Sequence, residues 1–198
     1  MALPDTGALA LPELVEQART IVNAVDVPVI ADAEAGFHDA ANIWRTVQAF
    51  EPAGVAAIHI EDHAFGKHAA VEQRLSPAEE TAARIRAAVE AREDPDFLIV
   101  ARSDAFWTHG DLDDTIRRLT LYAEAGADMV FPTLVGPSEH GDAAIVLYYA
   151  FSALVQYEAL NAAIERFKAK GTPPSAASAL EDLLGYGDFV SRVEKYSR

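Results

Sequence analysis

Short apolar segments rich in valine and isoleucine alternate along this sequence with segments of helical spacing. The apolar segments carry little polar alternation, which is typical of strands that are buried on both faces of a parallel sheet. Repeated strand–helix pairs of this kind predict an α/β fold with helices outside the sheet. We predict strands at residues 27–32, 54–61, 97–102, 129–131 and 144–149. We predict helices at 11–24, 39–50, 76–92, 111–125, 152–170, 177–184 and 188–197.

The number of predicted strands is small for a closed barrel. About five strands are predicted, whereas a (β/α)8 barrel of the TIM type typically takes about 250 residues, and this chain has 198. We therefore expect a barrel-type fold that is incomplete. We expect residues 1–151 to form this partial barrel and residues 152–198 to form a C-terminal helical segment, with a linker at 171–175.

Two of the predicted strands end in carboxylates. Asp32 and Glu34 follow the first strand, and Glu61 ends the next one. In α/β barrels the chemistry lies at the C-terminal ends of the strands. Three carboxylates there repel one another unless a cation lies between them, and Mg²⁺ prefers oxygen ligands. The pattern favours a metal site, and the alternative is that these are ordinary loop acids.

Composition and charge exclude several kinds of partner and chemistry. A formal net charge of −15 makes nucleic acid and anionic membrane surfaces unsuitable partners. The absence of cysteine excludes disulfides, thiolate metal sites and a catalytic thiol. The first residues lack a secretion-signal pattern, and the longest apolar stretch, 143–155, is too short to span a bilayer. We expect a cytoplasmic protein.

Several segments together resemble one known superfamily, that of isocitrate lyase and phosphoenolpyruvate (PEP) mutase. They occur in the same order as in that superfamily and cover most of residues 1–134, with a weaker match further on. The segments are LPDTG at 3–7, VIADAEAG at 29–36, GVAAIHIED at 54–62, DPDFLIVARSDA at 94–105, AEAGADMVFP at 123–132 and IVLYYAFSAL at 145–154.

This resemblance implies a lyase-like enzyme that depends on Mg²⁺, or on Mn²⁺, and acts on small 2-oxo acids or dicarboxylates. Members break or form a C–C or P–C bond next to a carboxylate, and the metal stabilises charge that develops as an enolate. The resemblance also implies a homo-oligomer whose C-terminal helices pack on a neighbouring subunit. The implied site residues are Asp32, Glu34 and Glu61 for the metal, Asp5 as a further acid near the substrate, Lys67 on a mobile catalytic loop, and Arg102 for the substrate carboxylate.

The sequence departs from the superfamily pattern in ways that bear on the reaction. Ala69 stands where the isocitrate lyase branch has its cysteine, and Ala69 and Ala70 also lack the Asn-Ser of the phosphonomutase branch. Glu34 replaces an aspartate. The chain begins after the position of a Ser-Gly substrate loop. These departures favour a decarboxylase or C–C hydrolase-like member of the superfamily, or an uncharacterised branch of it, over isocitrate cleavage.

Other interpretations remain open at this point. A catalytically impaired, truncated homologue could serve as an interaction or regulatory subunit. Lys67 could form a Schiff base, although it lies on a loop instead of a strand end. Glu61, His63 and His68 could imitate a zinc site, and Arg102 could simply pair with neighbouring acids.

Overall fold

The computed structural model describes residues 7–64, 73–133, 151–171 and 186–196. It divides into two units, Met1–Asp142 and Ala143–Arg198, which are described separately below. The strand predicted at 144–149 and the helix predicted at 177–184 lie outside the described residues.

The first unit alternates strands and helices, as the sequence predicts. Its strands are β1 (Ile30–Asp32), β2 (Ala57–Glu61), β3 (Leu98–Ser103) and β4 (Met129–Pro132). Its helices are α1 (Leu11–Val22), α2 (Trp44–Phe50), α3 (Ala78–Ala91), α4 (Ala105–His109) and α5 (Leu112–Glu124), with a 3₁₀ turn at Glu51–Ala53.

The four strands form one sheet in the order β1-β2-β3-β4, and every neighbouring pair is parallel. Glu61 at the end of β2 lies opposite Arg102 near the end of β3. Because parallel strands point the same way, all four carboxyl ends meet at one edge of the sheet. That edge carries Asp32, Glu61 and Arg102.

The core lies between the sheet and the helices. Ile58, Ile60 and Ile99 of the two central strands are fully buried, as are Phe50 of α2 and Ile85 of α3. Burial of each such side chain contributes about 1.5–3 kcal/mol. The carboxyl ends of β2 and β3 are therefore anchored on a packed core, which holds the side chains beyond them in place.

Several boundaries differ from the sequence predictions, among them the start of β2, which lies at Ala57 instead of residue 54. β1 pairs with β2 only from Ile30 onward. The helix predicted from Asp39 starts at Trp44, because the Asp39 carboxylate accepts N–H groups of the turn that follows it. α3 starts at Ala78 instead of residue 76, with Pro77 as its N-cap. The five-residue helix α4 was not predicted, since so short a helix has no measurable periodicity.

The second unit contains two described helices, α6 (Phe151–Lys170) and α7 (Tyr186–Tyr196). Both carry large apolar side chains that are exposed, such as Leu160 and Phe167 of α6 and Phe189 of α7. Among the parts of the chain that the structure describes, no helix is long and apolar enough to cross a membrane.

Candidate active site

A cavity of about 380 Å³ opens beside the carboxyl ends of β1 and β2. Glu34 and Glu61 line it together with two histidines, a serine and an arginine, which are His38, His63, Ser76 and Arg84. Two of the three carboxylates predicted to hold a metal are therefore brought to one cavity. Asp32 is not among the described residues that line it.

A tight turn after β1 places Glu34 in this cavity. β1 ends at Asp32, whose carboxylate accepts the N–H of Glu34 at 2.7 Å. Glu34 has φ +51°, a left-handed conformation that is uncommon outside glycine. Its carbonyl accepts the N–H of Glu61 at 2.9 Å, which ties the turn to the end of β2. The alternation of side chains along a strand would place Asp32 and Glu34 on one face, but it does not extend to Glu34, because β1 ends at Asp32.

Two side chains from helices hold the same turn from outside. The hydroxyl of Thr46 donates to the carbonyl of Gly36 at 2.6 Å. Nη1 of Arg84 donates to the carbonyl of Ala35 at 3.2 Å, and its Nη2 donates to Glu80 at 2.7 Å. The position of Glu34 thus depends on α2 and α3 as well as on its own strand. Strained backbone of this kind persists where its surroundings determine it fully, which is common at functional sites.

Arg102 lies between two carboxylates. Its Nη1 is 3.3 Å from Oε2 of Glu61, and its Nε donates to Oδ1 of Asp104 at 2.8 Å. Its guanidinium carbon also lies 5.4 Å from the centre of the Phe131 ring. Burial alone would lower the pKa of Arg102, but the charges of Asp104 and Glu61 outweigh burial and raise it. Arg102 is therefore a permanent, largely buried cation, and the salt bridge to neighbouring acids that its sequence position allowed is present.

Asp104 is the centre of a second cluster that the sequence analysis did not single out. It is fully buried. Besides Arg102 it accepts the hydroxyl of Thr133 at 2.5 Å, and its Oδ2 lies 3.4 Å from Nδ1 of His63. Burial alone would raise the pKa of Asp104, but His63, the charge of Arg102 and the Thr133 hydroxyl together hold it well below its usual range. The only sequence signal was its place two residues after Arg102, on the same strand face.

Asp62, next to Glu61, supports the site from behind. Its fully buried carboxylate accepts hydrogen bonds from Ser103 at 2.8 Å, from the backbone N–H of Asp104 at 2.8 Å and from the Tyr122 hydroxyl at 2.9 Å. Nη1 of Arg118 completes the set at 3.4 Å. Three of these donors bind Oδ2 and one binds Oδ1, so Asp62 connects β2 to the end of β3 and to α5.

The structure brings together part of the predicted site. Asp32, Glu34, Glu61 and Arg102 lie at the same edge of the sheet through the contacts above. Asp5 and Lys67 lie outside the described residues, as does His68. Within residues 7–64, 73–133, 151–171 and 186–196, no three acidic or histidine side chains converge closely enough to hold a metal as they stand.

The donor chemistry nevertheless fits a hard divalent cation. Glu34 and Glu61 offer carboxylate oxygens to one open cavity, and Mg²⁺ is usually bound by one or two carboxylates with water in its other positions. The Asp32 side chain is 45% exposed, and its Oδ2 lies 3.8 Å from Nε2 of His59. These residues are thus compatible with a Mg²⁺ site of two carboxylates. The described side chains do not form a preformed site of three carboxylates.

The depressed pKa of Asp104 leads to a prediction about stability in acid. Its folded pKa lies below its ordinary unfolded value of about 3.9. Asp104 therefore contributes stability above about pH 3.9, and this stability is lost as pH falls toward the folded pKa. We expect Asp104→Asn to reduce the acid slope of the unfolding free energy by up to about 1.4 kcal/mol per pH unit. Urea unfolding at several pH values between 3 and 5 measures this slope, and equal slopes for both proteins would contradict the assignment.

Comparison with known proteins agrees with this architecture. The sequence profile of the family described as phosphoenolpyruvate phosphomutase matches residues 1–170. A 2,3-dimethylmalate lyase of Eubacterium barkeri is 46% identical over 130 residues, which are 65% of this chain and 45% of that protein. A 2-methylisocitrate lyase of Vibrio cholerae is 36% identical over 173 residues, 86% of this chain and 51% of that protein. The chain thus spans about half the length of these curated relatives.

Solved structures resemble the chain over nearly its whole length. A phosphoenolpyruvate phosphomutase from Streptomyces platensis subsp. rosaceus superposes with a TM-score of 0.88 at 28% identity, covering 99% of this chain and 83% of that one. A phosphonopyruvate hydrolase in complex with oxalate and Mg²⁺ gives 0.82 at 25% identity, covering 100% and 82%. These are TIM-barrel-type proteins, which confirms the predicted fold class. On the profile match and these likenesses together, the chain belongs to the PEP mutase family within the isocitrate lyase/PEP mutase superfamily.

Proposed function

We propose that this protein is a Mg²⁺-dependent lyase-like enzyme that cleaves a C–C or P–C bond in a small 2-oxo acid or dicarboxylate. One observation carries the proposal: the carboxylates of Glu34 and Glu61 line one cavity, and the largely buried cation Arg102 lies 3.3 Å from Glu61. Acidic groups suited to a cation thus adjoin a basic group suited to a carboxylate. A 2-oxo acid or dicarboxylate offers the chemistry that both require.

Each residue has a distinct part in this proposal. Glu34 and Glu61, with Asp32 beside them, would hold the metal, which when bound supplies positive charge to the oxygens of the substrate. The planar fork of Arg102 would bind a substrate carboxylate. Because Arg102 is largely buried and permanently charged, its attraction for that carboxylate is screened less by water than that of a surface arginine. Lys67 would approach from the catalytic loop, and Asp5 would lie near the substrate.

The names of similar proteins support this substrate class. The E. barkeri relative is a lyase for a substituted malate. The hydrolase structure contains oxalate and Mg²⁺ together.

Because Ala69 cannot supply the thiol of the isocitrate lyase branch, we prefer oxaloacetate or a substituted malate to isocitrate as substrate. Purified protein assayed with oxaloacetate, 2,3-dimethylmalate and 2-methylisocitrate, with and without EDTA, tests this. Robust cleavage of 2-methylisocitrate, or turnover that resists EDTA, would contradict it.

Metal binding gives a test that does not need activity. We expect millimolar Mg²⁺ or Mn²⁺ to raise the melting temperature, because a ligand that binds only the folded state stabilises it by about 2.7 kcal/mol at one hundred times its Kd. Glu61→Ala should remove this stabilisation. Asp128→Ala is the matched control, since it also deletes a carboxylate paired with an arginine, here Arg92 at 2.6 Å. Asp128 precedes β4 and therefore lies at the edge of the sheet opposite the candidate site. Equal responses to Mg²⁺ in wild type and Glu61→Ala would show that the site is wrongly assigned.

A second candidate function is that of a catalytically impaired homologue which acts as an interaction or regulatory subunit. It is favoured by one observation, that the described acidic and histidine side chains do not converge as metal ligands. The two candidates differ in a simple experiment. An enzyme should bind Mg²⁺ and turn over one of the acids above, whereas an impaired homologue should do neither and still fold.

We also infer that the protein forms a homo-oligomer. Helix α6 exposes large apolar side chains along its length, among them Leu154, Leu160, Ile164 and Phe167. Exposed apolar patches of this kind favour association. We expect light scattering on the purified protein to give a mass that is a multiple of 21.3 kDa. A stable monodisperse monomer would refute the inference.

A further inference from the structure

The guanidinium of Arg102 is held on the side away from Glu61 by two residues whose roles the sequence does not suggest. Its Nε–H is shared between Oδ1 of Asp104 at 2.8 Å and Oγ1 of Thr133 at 2.9 Å. The Thr133 hydroxyl in turn donates to the same Asp104 oxygen at 2.5 Å. The three groups thus form a closed triangle of hydrogen bonds, which we call the Arg102 clamp.

Both partners in the clamp are themselves fixed by the backbone. The N–H of Asp104 donates to Oδ1 of Asp62 at 2.8 Å. The N–H of Thr133 donates to the carbonyl of Ser103 at 3.1 Å, which continues the pairing of β3 with β4. The clamp therefore rests on the ends of two adjacent strands, and its members have little freedom to rearrange.

The clamp determines which edge of the guanidinium remains for other contacts. A guanidinium carries its donors in a rigid planar fork. With Nε bound to Asp104 and Thr133, the Nη1 end of the plane lies 3.3 Å from Oε2 of Glu61, and Glu61 in turn lines the cavity, of which Arg102 is not itself a lining residue. Without the clamp the long arginine side chain could rotate and direct the same donors elsewhere. Ligand binding would then have to order this side chain, at an entropic cost that a preorganised site avoids.

We propose that Asp104 and Thr133 are positioning residues that orient Arg102 to bind the carboxylate of an anionic ligand in this cavity. The proposal rests on the proposed function in one respect, the assignment of Arg102 to a carboxylate. It adds that affinity for that carboxylate depends on the neutral hydroxyl of Thr133. This hydroxyl would not contact the ligand and would act by orienting Arg102.

Oxalate in the presence of saturating Mg²⁺ is a suitable probe, measured by calorimetry on the full chain. We expect Thr133→Val, which keeps the shape and removes the hydroxyl, to weaken oxalate binding about tenfold, because Arg102 loses one of the two contacts that hold its Nε in place. Thr133→Ser should restore binding to within about twofold of wild type. Asp104→Asn should weaken binding at least as much as Thr133→Val. Mg²⁺ affinity without oxalate should be unchanged in Thr133→Val.

Tyr122→Phe is the matched control for a loss of stability. It removes a hydroxyl that donates to Asp62 in the neighbouring network and does not contact Arg102. We expect it to destabilise the protein and to leave oxalate affinity unchanged. If Tyr122→Phe weakens oxalate binding as much as Thr133→Val does, the effect is one of general stability and the positioning role is overturned.

The outcomes separate this inference from the proposed function. If Arg102→Leu does not weaken oxalate binding, or wild type does not bind oxalate, the proposed role of Arg102 fails. If Arg102→Leu weakens binding and Thr133→Val does not, only the positioning role fails. NMR of the Arg102 Nε–H tests the clamp without any ligand: we expect slow exchange with solvent in wild type and Thr133→Ser, and faster exchange in Thr133→Val and Asp104→Asn. Unchanged exchange in both of the latter would overturn the clamp.

Discussion

Replacement of Asp62 by alanine is expected to cost about 3 to 5 kcal/mol of unfolding free energy, because it removes one partner of a buried ion pair. The Asp62 carboxylate accepts hydrogen bonds from Ser103, Tyr122, Arg118 and the backbone of Asp104. All these donors are oriented toward one buried carboxylate. Alanine would leave them without it, and an unsatisfied buried donor costs about 1 to 3 kcal/mol.

Urea unfolding measured by circular dichroism would test this expectation. Asp26→Asn is a suitable control, since Asp26 is exposed and its replacement should change stability by less than about 0.5 kcal/mol. Asp62→Asn should fall between the two, because an amide keeps one acceptor oxygen and loses the charge opposite Arg118. A loss below about 1 kcal/mol for Asp62→Ala would mean that the carboxylate is not the connection between β2, β3 and α5 that its contacts indicate.

Gly36→Ala is expected to have an effect of similar size and to reach the candidate site as well. Gly36 has φ +93°, where an L-residue is strained by about 1 to 2 kcal/mol. An added Cβ would also lie 2.6 Å from Cδ1 of Ile43, which is fully buried and cannot withdraw freely. Overpacking of this kind costs about 1 to 3 kcal/mol. We expect a total loss of about 3 kcal/mol, together with weaker Mg²⁺ binding, because Gly36 ends the turn that carries Glu34.

Gly110→Ala separates the two contributions. Gly110 also has a positive φ, +67°, but an added Cβ there meets nothing within 4 Å. Its loss of stability should therefore reflect conformation alone, and it should leave Mg²⁺ binding unchanged. Thermal or urea unfolding of both variants, with and without Mg²⁺, gives the comparison. If Gly36→Ala were no more costly than Gly110→Ala, the contact with Ile43 would have no energetic weight.

Much of the fold was predictable because local sequence determines it. The carboxyl ends of β2, β3 and β4 were predicted to within one residue, since each is an apolar segment that stops at a polar or proline residue. The start of β1 was not, because Val27 is apolar but exposed, and Val29 contributes only a carbonyl that accepts the N–H of Ala56 just before β2. Apolar character predicts burial and strand propensity, but the extent of a strand also depends on where its neighbour lies.

The candidate site was predictable only in part, for a related reason. The residues Glu34, Glu61 and Arg102 stand at strand ends, where the position of a parallel strand fixes the position of the side chain. The clamp on Arg102 requires Thr133, which follows a different strand and has an unremarkable sequence context. Likewise, Tyr122 of α5 has helical spacing typical of a core residue, and only the structure places its hydroxyl on Asp62. Contacts between distant segments leave no periodic signal in the sequence.

The order of the sheet has a consequence for how this protein is made. In the described sheet, every strand pairs with its predecessor and successor along the chain, and no strand is inserted between two earlier ones. Loop closure between successive strand–helix units involves shorter separations than pairing between distant ones, and so costs less entropy. The sheet can therefore grow in one direction while the ribosome is still at work. β1 and β2 can associate before β3 has been synthesised. The end of β3 that carries Arg102 can then pair with β2, in which Glu61 is already in place.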